Sequence, residues 1–138
     1  MEPEIKKILV PLDGSKNSLK ALDTAISLAK DSDADITALH IIRFPIQFSN
    51  KIKKQHKKLA EKIMTLASRT AKKSKVSLTP IIRFDGYVGD QIVKYAHLHK
   101  FALIVIGSRG PNPIAEMFLG SVANYVLNKS KIPVLLVK

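Results

Sequence analysis

Two apolar rhythms alternate along this chain. Short runs with few polar interruptions read as buried strands: Lys6–Asp13 (KKILVPLD), Ala34–Ile42 (ADITALHII), Val76–Arg83 (VSLTPIIR), Ala102–Gly107 (ALIVIG) and Ile132–Lys138 (IPVLLVK). Between them, apolar residues recur at spacings of three and four, the signature of an amphipathic helix. The first helical stretch covers Gly14–Lys30, with Leu19, Leu22, Ile26 and Ala29 on one face and Ser15 placed to cap it. The second runs from Lys51 to about Ser74. The pattern assigns Ile52, Leu59, Ile63, Leu66 and Ala71 to its buried face. Two more are expected from about Asp90 to His99 and from about Gly120 to Lys129.

The order is therefore βαβαβαβαβ, which predicts an α/β fold: a parallel sheet with helices on both faces. Pro11 ends the first strand sharply, and Pro80 suits an edge strand, because proline cannot donate to a central ladder. There is no internal repeat and no low-complexity segment. A chain of 138 residues is expected to form one domain, residues 1–138.

Composition narrows the chemistry. The chain has no cysteine, which excludes disulfides and thiolate metal sites. It lacks the long apolar run of a transmembrane span and the features of a signal peptide, so a cytoplasmic location is expected. The net charge is +12 and is unevenly placed. Residues 51–75 hold ten basic residues against one acid, Glu61, and so supply +9 of that total.

In open parallel sheets, ligands bind beyond the carboxyl ends of the strands, where the strand order reverses. Two strand ends here are unusual. The first closes on Pro11, Leu12 and Asp13, and the fourth runs into IGSRGPNPIAEMFLGS (Ile106–Ser121). That long loop suits a phosphate. Its glycines let backbone N–H groups approach an anion, the free amides of the next helix start attract negative charge, and Ser121 and Arg109 add a donor and a cation. No P-loop motif is present, and no GxGxxG follows the first strand.

Gly107-Ser-Arg-Gly110, nine residues, then Gly120-Ser121 spells G-x2-G-x9-G-[ST]. This resembles the nucleotide-binding signature of the universal stress protein family. The likeness runs the length of the chain, through KILVPLDGS, LHII, LIVIGSRG and GSVANYVLNKSKIPVLLVK. It implies a Rossmann-like three-layer sandwich whose five-stranded parallel sheet has the order 3-2-1-4-5. It implies an ATP-binding protein (ADP or AMP being further candidates, with Mg or Mn) acting as a stress-response sensor or regulator. By matching position, Pro11, Leu12 and Asp13 would border the nucleotide, and the backbone of Ile41 would meet adenine. Gly107, Ser108, Arg109, Gly110, Pro111, Asn112 and Pro113 would wrap ribose and phosphates. Gly120, Ser121, Val122 and Ala123 would bind phosphate at the helix start. Asp13 could also reach the accompanying metal. The likeness further implies a homodimer paired through the strand at 132–138. The loop departs from the family at Glu116, where many members carry a basic residue, and Pro111 and Pro113 remove two amide donors.

No catalytic constellation is evident. His97 and His99 fall on different helix faces, and His40 reads as a strand residue. A binding protein is therefore expected rather than an enzyme, with slow ATP hydrolysis left open. The alternative is a nucleotide-independent interaction module that meets anionic partners, nucleic acid or membrane, through the Lys-rich helix 51–75.

Overall fold

A computed structural model describes residues 4–43, 49–84, 86–110 and 119–138. Nine elements follow the expected alternation: β1 (Lys7–Pro11), α1 (Lys16–Ser32), β2 (Asp35–Ile42), α2 (Asn50–Lys73), β3 (Leu78–Phe84), α3 (Val88–Leu98), β4 (Leu103–Gly107), α4 (Ser121–Lys129) and β5 (Val134–Val137). All strand pairs are parallel, and the sheet order is β3-β2-β1-β4-β5. The Rossmann-like order 3-2-1-4-5 is thus observed, and β3, with Pro80, lies at an edge.

The central strands are apolar throughout because both of their faces are buried. Alternate residues feed two cores. Ile8, Val10, Ile36, Ala38, Leu103 and Val105 face α1 and α2. Leu9, Leu39, Ile41, Ile104 and Ile106 face α3 and α4. Leu9 and Ile104 are fully buried at the sheet centre. Truncating either to alanine is expected to cost about 2–5 kcal/mol through lost transfer energy and the cavity left behind.

The structure corrects one expectation. On α2 the buried positions are Ala60, Ile63, Met64, Ala67 and Ala71. Ile63 and Ala71 are placed as the pattern suggested, whereas Ile52, Leu59 and Leu66 are exposed. Small residues decide this. Ala60, Ala67 and Ala71 bring the helix close to β2 and β3, and the larger leucines are rotated off that contact line.

The β1–α1 turn is built locally. Asp13 Oδ1 accepts the Ser15 amide at 2.8 Å, and Gly14 takes φ +85°, a left-handed conformation that favours glycine. Ser15 Oγ then accepts the Ser18 amide at 3.1 Å, capping α1. The α4 start is different. Its N-cap is Gly120, which has no side chain to cap with. The first helical bond runs from the Asn124 amide to the Gly120 carbonyl, so the amides of Ser121, Val122 and Ala123 have no acceptor within the helix.

Candidate nucleotide site

The sheet order puts the carboxyl ends of β1 and β4 side by side, and a cavity of about 510 Å³ opens beyond them. Its walls change character from one part to another. Leu39, Ile41, Val88, Ile92 and Ile106 supply apolar surface. Asp13, Ser18, Arg109, Gly110, Gly120 and Ser121 supply polar groups and bare backbone. A cavity with an apolar wall and a few polar groups suits a flat ring joined to a charged tail.

The loop that follows β4 is tied at its base. The Ser108 amide donates to the Val137 carbonyl at 2.8 Å, and the Gly120 amide donates to the Ser108 carbonyl at 2.6 Å. Asn17, from α1, bridges the same junction. Its Nδ2 donates to the Val137 carbonyl at 3.1 Å, and its Oδ1 accepts the Arg109 amide at 2.7 Å. That bridge explains Gly107, where a Cβ would stand 2.7 Å from Asn17 Oδ1. On the other wall, His40 Nδ1 lies 2.7 Å from the Leu12 carbonyl. A carbonyl can only accept, so Nδ1 carries the proton, and in the neutral ring Nε2 is an acceptor.

Of the residues expected at the site, Pro11, Leu12, Asp13, Ile41, Gly107, Arg109, Gly110, Gly120, Ser121 and Val122 line the cavity. Ser108 is buried and serves the loop base through its backbone. The Ala123 side chain sits in the core beneath α4, leaving only its amide toward the helix end. Pro111, Asn112, Pro113 and Glu116 lie outside the described residues.

Residues 4–138 match the model of the universal stress protein family. The chain belongs to that family. Universal stress protein YxiE of Bacillus subtilis is 36% identical, over 96% of this chain and 98% of its own length. Among solved structures, hypothetical protein MJ0577 superposes with a TM-score of 0.88 at 29% identity, covering 99% of this chain and 97% of its own. A universal stress protein solved in complex with cAMP gives a TM-score of 0.74 at 28% identity, covering 96% and 97%.

Within this universal stress protein, sequence reasoning passed over Asn17, Ser18, Leu39, Val88 and Ile92, and took His40 only as a strand residue and Ile106 only as the start of the loop. The apolar ones carried a faint signal, because β2 and α3 end at the carboxyl side of the sheet or begin there. Asn17 carried none. Its partners lie 92 and 120 residues away and offer backbone groups, which have no residue signature.

Among the described residues, Asp13 is the one carboxylate lining the cavity. Its second oxygen would stand 3.7 Å from a Cβ at Gly110, so it faces the loop across the cavity mouth. Among the described residues no cluster of three metal-ligating side chains occurs. A divalent ion here would depend on phosphate oxygens for most of its ligands, with Asp13 as the protein's contribution.

Proposed function

We propose that this universal stress protein binds an adenine nucleotide, ATP foremost with ADP and AMP as related ligands, in the cavity beyond β1 and β4, and acts as a nucleotide-dependent sensor or regulator of stress response. The observation that carries this reading is the start of α4. Ser121 and Val122, whose amides have no helical acceptors, line the cavity beside Gly110, Gly120 and Arg109, and apolar side chains make up much of the rest of its wall. Donors fixed before the ligand arrives cost little ordering on binding. The amides of Ser121 and Val122, the Ser121 hydroxyl and the Arg109 guanidinium serve the phosphates. Leu39, Ile41, Val88 and Ile92, which line the cavity, cover the base, and the Ile41 backbone meets its edge. Asp13 serves the ribose or the Mg²⁺ or Mn²⁺ that accompanies ATP, an ion that would screen phosphate charge. The related universal stress protein solved with cAMP supports an adenine nucleotide as the ligand class.

The same reading includes one domain and a homodimer. β5 is an edge strand, and Leu135 on it is exposed, so an edge-to-edge partner would cover both its backbone and its side chains. Isothermal calorimetry with ATP, ADP and AMP, with and without Mg²⁺, tests the proposal. Saturable binding that is lost in Gly120→Val is the expected result. No heat from any of the three at millimolar concentration would overturn it.

A further inference from the structure

The exposed side of α2 has a pattern that core packing does not explain. Ile52, Leu59 and Leu66 are 37%, 55% and 48% exposed and lie seven residues apart, so they form one line drifting only about 20° per step. The buried residues of the helix lie to one side of that line. To the other side, within roughly a quarter turn, come the exposed lysines Lys51, Lys58, Lys62 and Lys73. The helix thus presents an apolar ridge edged by ammonium groups. Glu61 is its one acid. Its first turn carries no acidic residue but has Lys51, where the helix dipole disfavours cations. At the amino end this charge is not arranged to stabilise the helix, whereas Lys72 and Lys73 suit its last turn.

We infer that this face of α2 docks on an anionic lipid surface, with Ile52, Leu59 and Leu66 entering the headgroup–acyl boundary and the lysines contacting lipid phosphates. Apolar side chains beside a cationic face are the composition of an interfacial helix. A nucleic acid would neutralise the lysines but leave the leucines against phosphate and sugar, with nothing gained from their exposure. A second copy would set two strongly basic helices against each other. An anionic bilayer satisfies both halves of the surface. The inference is independent of the nucleotide reading, since the face lies on a different part of the molecule.

Co-sedimentation of the full chain with vesicles tests it, using phosphatidylcholine alone and phosphatidylcholine with one third phosphatidylglycerol, near physiological salt. The expected result is binding to the anionic vesicles only. The double substitution L59Q and L66Q keeps every charge, and both sites are exposed, so the fold is retained. It lowers partitioning about tenfold, the loss expected for two half-buried side chains. The triple substitution K58E, K62E and K73E lowers it about a hundredfold or more. Three results would overturn the inference. One is equal binding, or none, on the two vesicle types. Another is partitioning unchanged by the glutamine pair. The last is capture by a DNA duplex, or self-association in light scattering, that exceeds vesicle binding and is lost in the same variants.

Discussion

Asn17→Ala tests whether the loop is held by α1 or merely rests against it. The substitution deletes two hydrogen bonds, one to the Arg109 amide and one to the Val137 carbonyl. The second loss is cheap, because the Val137 carbonyl keeps the Ser108 amide at 2.8 Å. The first leaves a part-buried amide without its acceptor. Together they are expected to cost about 2 kcal/mol, from roughly 0.5 for the redundant bond and about 1.5 for the orphaned donor. At about 3 °C per kcal/mol for a chain of this size, the melting temperature falls by roughly 6 °C. Gly107→Ala attacks the same junction from the other side, since its Cβ would stand 2.7 Å from Asn17 Oδ1. It must displace the side chain that Asn17→Ala removes. The double variant is therefore less unstable than the sum of the singles, by about 1 kcal/mol in a double-mutant cycle. Urea unfolding of the four proteins measures this directly. Strict additivity, or an Asn17→Ala loss below about 0.5 kcal/mol, would refute the bridge as the element that sets the loop.

Four further outcomes follow from the geometry. ATP at one hundred times its Kd stabilises the protein by about 2.7 kcal/mol, and thermal scans of Gly110→Val and Gly120→Val show no such shift. Gly14→Ala costs about 1–2 kcal/mol in urea unfolding, because φ is +85° there and the new Cβ would stand 3.0 Å from Ile63 Cδ1. The Lys94 ammonium, with help from the Tyr125 hydroxyl, holds the Asp90 carboxyl below the usual carboxylate range. A pKa lower in the folded than in the unfolded chain stabilises above the ordinary Asp value, and that contribution is lost as pH falls through the folded value. Asp90→Asn is therefore less stable than wild type at neutral pH, and urea titrations show the gap closing as pH falls below the ordinary Asp value and through the lower folded one. Light scattering at micromolar concentration gives a dimer, and Leu135→Lys on the β5 edge gives a monomer, if that edge is the interface.

The fold was legible because its signals are local and repeated. KILVP, ITALHII and LIVIG are apolar on both faces, which only a two-sided sheet can bury, and each is followed by turn or cap chemistry such as Asp13-Gly14-Ser15. The cavity was legible in outline, since glycines at 107, 110 and 120 and the end of β1 marked both of its lips. Two features were not legible, for different physical reasons. On α2, period alone cannot choose between two adjacent apolar lines, 52-59-66 and 60-63-67-71. The choice falls to the close approach of alanines to the sheet, a property of packing rather than hydrophobicity. At the loop base, Asn17 looks like any first-turn helix residue, and its value arises only when β4 and β5 end beside it. The Val137 carbonyl then accepts from both Asn17 and Ser108, so one backbone atom on the edge strand anchors both α1 and the start of the β4–α4 loop. An edge strand paired with a partner would hold that carbonyl more rigidly.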